Sequence, residues 1–80
     1  MTSSEEKLRE IAAKVLLLQG SEVNDNISRK DTEAWDSLAH LMLINETEAT
    51  FEVSFSDDDI LEINSIGDLR NKLRKLGVET

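Results

Sequence analysis

The chain of 80 residues is long enough for one domain, over 1–80, and too short to enclose a cleft of ordinary ligand size. One histidine and the absence of cysteine and tyrosine argue against an autonomous enzyme and exclude disulfides, which leaves helix packing as the expected source of stability. The 17 acidic and nine basic residues give a formal charge of −8, which disfavours contact with nucleic acid and with anionic membranes.

The N-terminal sequence argues against export. Residues 1–6 lack the basic start and apolar run of a signal peptide, and the chain has no stretch of about 18 apolar residues. We therefore expect a soluble, cytoplasmic protein, and a monomer.

The first predicted element is a helix over 4–18. Ser3 and Glu6 have the spacing of a capping box, and Gly20 is a typical helix stop. Between them, apolar residues recur at helical spacing, at Leu8, Ile11, Val15 and Leu18.

A long first loop is predicted over 20–36, where the sequence is polar and irregular. Connections of this length are uncommon unless they are functional or packed down by their own side chains. We expect three isolated apolar residues of the loop to pack against the helices and so act as plugs: Val23, Ile27 and Trp35.

The second helix is predicted over 37–51, with Asp36 or Ser37 as its N-cap. Helical geometry separates its apolar side chains into two opposite arcs. One arc holds Leu43, Ile44 and Phe51 with His40 and Thr47 among them, and the other holds Leu38, Leu41, Met42 and Ala49 around Asn45. A small bundle buries one arc well, so we interpret Leu38, Met42 and Asn45 as a partner-contact face. The alternative is a central helix that is buried nearly all round.

Two more helices complete the predicted fold. Residues 51–55 alternate like a strand but have no partner strand, so they are interpreted as an ordered loop. A short third helix is predicted over 57–62, capped by Ser56, and a fourth over 66–76, begun by a capping box of Ser65 and Asp68. The basic residues of the fourth helix are expected to form a solvated face that complements the helix dipole: Arg70, Lys72, Arg74 and Lys75. The prediction is an all-α fold, a small four-helix bundle with three main helices, a short third helix and a long first loop.

Neither His40 nor the acidic run at 57–59 indicates a metal site. One histidine cannot complete a zinc site without several well-placed carboxylates, and the second helix offers none within one turn of His40. Asp57, Asp58 and Asp59 point in different directions on a helix and lack the spacing and glycine of a calcium loop. Negative charge at a helix start explains the acidic run better.

The start of the second helix has the most specific pattern in the chain. Asp36-Ser37-Leu38 stands at its head, and Phe-Ser-Asp-Asp-Asp follows the helix at 55–59. Together with the chain length, the order of four helices and the acidity, this pattern resembles the acyl carrier protein family over nearly the whole chain. The string from Trp35 to Leu41 is similar to stand-alone carriers of specialised metabolism and of modified surface sugars.

The resemblance implies that a phosphopantetheinyl transferase moves the 4′-phosphopantetheine of coenzyme A onto the Ser37 hydroxyl, with Asp36 either recognised by the transferase or acting as the N-cap. Acyl thioesters on this arm would then pass to partner enzymes of fatty-acid, polyketide or other specialised biosynthesis, so the protein would be a carrier and not an enzyme. The arm would supply the thiol, which agrees with a chain that has no cysteine. Two alternatives are a peptidyl or aminoacyl carrier and, in a different class, an unmodified helical adaptor in which Ser37 is only a cap.

Two features depart from the family pattern. Trp35 stands where members often have glycine, so the turn before Ser37 must form without glycine's backbone freedom, and we expect the indole to shield the base of the arm. The second helix is less acidic than in fatty-acid carriers, with Glu46 and Glu48 as candidate partner-binding acids. Apolar contact is therefore expected to matter more than charge in partner binding.

Overall fold

The computed structural model describes residues 3–79, so the predicted domain bounds at 1 and 80 lie outside the described residues. The helices are α1 (Ser4–Leu16), α2 (Ser37–Phe51), α3 (Asp57–Glu62) and α4 (Ile66–Lys75), with a short 3-10 helix at Gly20–Glu22. Residues 3–79 contain no strand, and the predicted all-α fold of acyl-carrier type is confirmed. No helix in this part of the chain combines the length and apolar character needed to cross a bilayer.

The bounds of α2 and α3 agree with the sequence prediction, whereas α1 and α4 end earlier than predicted. After Leu16 the chain leaves α1 because Leu17 adopts a left-handed conformation with φ 57° and ψ 40°. The backbone N–H groups of Leu17 and Leu18 both donate to the carbonyl of Ala13, which satisfies the helix end. Gly20, the predicted stop, instead begins the 3-10 helix.

Side-chain caps fix the starts of the last two helices. At α3 the capping box is complete, since Ser56 accepts from the Asp59 N–H while Asp59 accepts from the Ser56 N–H. At α4 the Ser65 hydroxyl accepts from the Asp68 N–H at 3.0 Å. The Asp68 carboxylate bonds the N–H of Asn64 and not that of Ser65, so the predicted capping box is displaced by one residue.

The core lies between α1, the inner face of α2 and α4. Its buried apolar members come from all three helices and from the connections: Leu8, Ile11, Ala12, Val15, Leu16, Val23, Trp35, Ala39, Leu43, Ile44, Phe55, Ile63, Ile66, Leu69 and Leu73. Val23 and Trp35 thus plug the first loop onto the helices as predicted, and Ile27 packs against the same core while partly exposed. Burial of these side chains holds a long loop in one conformation.

The first loop is also hydrogen-bonded to the start of α4. Three backbone bonds of 2.8–3.1 Å join them, from Arg29 to Asn64, from Ile66 to Ile27 and from Gly67 to Asp25. A Cβ at Gly67 would lie 3.2 Å from the Asp25 carbonyl oxygen, so glycine is what allows this close approach. The loop residues that precede α2 are therefore fixed in space by a distant part of the chain.

The predicted solvated face of α4 is confirmed for Arg74 and Lys75, which are exposed, but is wrong for Arg70 and Lys72. The Arg70 guanidinium, whose side chain is 14% exposed, lies 2.7 Å from a Glu5 oxygen and 3.0 Å from an Asp25 oxygen. The Lys72 ammonium, 18% exposed, lies 3.1 Å from an Asp59 oxygen. The hydrogen bond from Lys72 lowers the pKa of Asp59, and that from Arg70 lowers the pKa of Glu5. These cations therefore join α4 to α1, the first loop and α3.

Candidate functional site

The start of α2 is defined by the Asp36 carboxylate. Asp36 has an extended backbone, and its Oδ1 accepts a hydrogen bond of 2.8 Å from the Ala39 N–H. The N-cap is therefore Asp36, and Ser37 is the first residue of the helix. Ser37 is exposed, so its hydroxyl is open to a macromolecular partner.

A cation lies beside this hydroxyl. Arg29, in the first loop, places its Nη2 3.5 Å from the Ser37 Oγ. The backbone N–H of Arg29 donates to the Asn64 carbonyl at 2.8 Å, which fixes the loop at this point. Sequence reasoning missed Arg29, because no pattern in the sequence shows that the loop folds back onto α4.

Two sources of positive charge lie at Ser37, next to the Asp36 carboxylate that caps the helix. The positive end of the α2 dipole and the Arg29 guanidinium meet at this hydroxyl, while the chain carries a formal charge of −8. Such surroundings suit an attached anionic group, and a phosphate in particular.

The Trp35 indole faces the core and does not shield Ser37, so that prediction is wrong. Trp35 is 2% exposed, and its Nε1–H donates to His40 Nδ1 at 2.9 Å. An indole can only donate, so the proton of the neutral imidazole resides on His40 Nε2, which donates to the Ile60 carbonyl at 2.9 Å. Both ring nitrogens of the buried His40 are thus engaged in joining α2 to the first loop and α3.

Within residues 3–79 no group of side chains is arranged to hold a metal ion.

The turn into α2 forms without glycine because it needs no left-handed residue. Positive φ values among the described residues occur at Leu17, Glu52 and Gly77. Trp35 therefore has an ordinary backbone conformation, and its side chain is free to serve as a core plug.

The outer face of α2, defined as Leu38, Leu41, Met42, Asn45 and Ala49, is exposed to solvent. Leu38 is 68%, Leu41 54% and Met42 45% exposed, while Ala39, His40, Leu43, Ile44 and Thr47 are buried on the inner side. The two predicted arcs are confirmed, and the alternative of a helix buried nearly all round is wrong. The outer face begins one residue after Ser37, so a macromolecule that reaches the hydroxyl also meets apolar side chains.

The two candidate acids of α2 both have partners within the chain. Glu46 lies 3.0 Å from the Lys14 ammonium on α1. Glu48 accepts a hydrogen bond of 2.7 Å from the Phe55 N–H and so fixes the connection between α2 and α3. Helical geometry places them on either side of the outer face. The structure therefore gives Glu48 in particular a role in the fold that its sequence position did not suggest.

Two comparisons with known proteins match most of this chain. The family model described as "Phosphopantetheine attachment site" matches residues 6–73. An acyl carrier protein of Buchnera aphidicola (subsp. Schizaphis graminum, strain Sg) is 32% identical over 79 residues, which cover 94% of this chain and 100% of that protein. The chain belongs to the acyl carrier protein family.

Acyl carrier proteins are carriers and not enzymes, they bear phosphopantetheine, and they work with biosynthetic enzymes after modification by a phosphopantetheinyl transferase. The residues at the start of α2 in this carrier are chemically suited to hold phosphopantetheine. Ser37 offers an exposed hydroxyl, and Arg29 and the helix dipole offer positive charge for a phosphodiester. When bound, the group supplies the thiol that this cysteine-free chain lacks.

Proposed function

We propose that this carrier bears 4′-phosphopantetheine on Ser37. The observation that carries the proposal is the exposed Ser37 hydroxyl at the first position of a capped helix, within the segment matched by the attachment-site family. The Ser37 Oγ forms a bond to the phosphorus of the phosphopantetheine half of coenzyme A, the pyrophosphate bond breaks, and 3′,5′-ADP leaves. The transferase takes up the hydroxyl proton, since the side chain that contacts the Ser37 Oγ is the Arg29 guanidinium, which cannot accept one.

Asp36 has a second role within this proposal, in recognition by the transferase. Its Oδ1 is engaged by the Ala39 N–H, but the residue is exposed and directly precedes Ser37. A carboxylate has about four acceptor positions, so Asp36 can accept from the Ala39 N–H and also from a group of the transferase.

Partner enzymes are proposed to dock on the outer face, mainly through Leu38, Met42 and Asn45. Exposed apolar side chains next to Ser37 support this, while the engagement of Glu46 and Glu48 within the chain leaves them a smaller part. The proposed partners are the phosphopantetheinyl transferase and acyl-loading and acyl-processing enzymes.

The proposed cargo is an acyl intermediate of fatty-acid, polyketide or other specialised biosynthesis, carried as a thioester by a cytoplasmic monomer of one domain. The apolar outer face also favours a second candidate, a peptidyl or aminoacyl carrier. Loading assays with adenylating enzymes and with acyl-transferring enzymes separate these two cargo classes.

The test of attachment is intact mass after incubation with coenzyme A and a broad-specificity transferase. The wild type and Ser54→Ala, which removes an exposed loop serine, are expected to gain the mass of one phosphopantetheine, and Ser37→Ala is expected to gain none. No gain in the wild type, or a gain that survives Ser37→Ala, refutes the proposal. If the wild type gains no mass and Ser37→Ala functions normally in cells, the unmodified helical adaptor is favoured.

A further inference from the structure

Arg29 is a cation whose backbone is fixed and whose side chain has no carboxylate partner within residues 3–79. Its backbone is bonded to Asn64, its side chain contacts the Ser37 Oγ, and among residues 3–79 its guanidinium makes no ion pair with an acid. Arg70 and Lys72, in contrast, are each paired with carboxylates. In a chain with 17 acidic residues, a cation held against a serine hydroxyl is available to pair with an anion placed there.

The contact is too long to be a strong bond to the serine itself. At 3.5 Å the Nη2–Oγ distance exceeds the usual range of about 2.7–3.2 Å for a hydrogen bond of this type. A phosphodiester on Oγ would add two non-bridging oxygens that share one negative charge, each two bonds beyond Oγ. A guanidinium close to this position can reach such an oxygen at the length of about 2.7–2.9 Å typical of charge-assisted bonds.

We propose that Arg29 is a positioning residue that binds the phosphodiester of the arm and holds its base against the first loop. The inference rests on the proposed attachment at Ser37 and adds a residue that sets the direction in which the arm leaves the protein. The planar guanidinium matches two phosphate oxygens at once, which a lysine ammonium does not. The cation also offsets repulsion between the new anion and the neighbouring Asp36 carboxylate.

The experiment compares four modified proteins: wild type, Arg29→Lys, Arg29→Gln and Lys30→Gln. Lys30 is the matched control, since it is an exposed cation of the same loop with no described contact to Ser37. Intact mass first shows that each protein carries the arm, and circular dichroism shows that each is folded. The readouts are the phosphorus-31 resonance of the phosphodiester and, in the wild type, the Arg29 side-chain NMR signals before and after modification.

The expected result is a displaced phosphorus-31 resonance in Arg29→Gln, a smaller displacement in Arg29→Lys and none in Lys30→Gln. Arg29 side-chain signals should move on modification of the wild type, and about 1 M NaCl should move them back, because salt screens the pair. Identical phosphorus-31 resonances in all four proteins, with unmoved Arg29 signals, overturn the inference while attachment at Ser37 stands. An absence of mass gain in the wild type refutes the attachment itself.

Discussion

Asp36 has two separable properties at the start of α2. Its Oδ1 caps the helix through the Ala39 N–H, and its charge lies directly beside the proposed attachment residue Ser37. Asparagine is as good an N-cap as aspartate but carries no charge. The pair Asp36→Asn and Asp36→Ala therefore distinguishes the structural role from the role in recognition.

We expect Asp36→Ala to lower the free energy of unfolding by about 1 kcal/mol and Asp36→Asn to change it by less than half of that. Denaturation with urea measures both. In a transferase assay, both variants should be modified more slowly than the wild type if the charge is recognised. Equal modification rates of Asp36→Asn and the wild type would restrict Asp36 to capping.

At the scale of the elements, the sequence predicted those helix ends that local side chains determine. Asp36 and Ser56 are strong N-caps, and the starts of α2 and α3 follow from them. The end of α1 was missed because a leucine at φ 57° is disfavoured, so the local sequence does not indicate that the helix ends at Leu16. The Arg29 contact was missed because it depends on backbone bonds between the first loop and α4, which leave no mark in the sequence.

Ion pairs between elements predict acid sensitivity of the fold. Hydrogen bonds from Lys72 and Arg70 lower the pKa values of Asp59 and Glu5, respectively. A carboxyl with a lowered folded-state pKa contributes stability above its unfolded pKa of about 4, and this contribution is lost as pH falls through the folded value. We therefore expect the free energy of unfolding to decrease below about pH 4.

The matched variants for this prediction are Lys72→Gln and Lys7→Gln. Lys72→Gln removes the closer of two lysines beside Asp59, so its stability should depend less on pH in the acid range than that of the wild type. Lys7→Gln removes an exposed charge of α1 and should keep the wild-type slope. Chemical denaturation at a series of pH values measures this, and equal slopes in all three proteins would contradict it.

At the scale of the whole molecule, charge and apolar surface are distributed unequally. The chain has a formal charge of −8, yet the outer face of α2 presents leucine and methionine, and Glu46 and Glu48 are engaged within the chain. Rim charges mainly affect association rates, whereas buried apolar contacts determine how long a complex lasts. Partner binding should therefore depend only weakly on salt.

Met42→Glu tests docking on the outer face. Met42 is 45% exposed, so the variant should remain folded, while kcat/KM of a loading enzyme should fall by about tenfold or more, because a charge would be buried at the contact. Thr50→Glu adds the same charge at an exposed position of α2 away from the outer face and should change kcat/KM by less than about twofold. Equal effects of the two substitutions would place docking elsewhere.

The most direct test of the central claim is tandem mass spectrometry of the chain after production together with a phosphopantetheinyl transferase. Attachment at the start of α2 predicts fragment ions that place one phosphopantetheine on Ser37, and an unmodified peptide from Ser37→Ala. A phosphopantetheine on any other residue, or none on a folded wild-type chain, would contradict the claim.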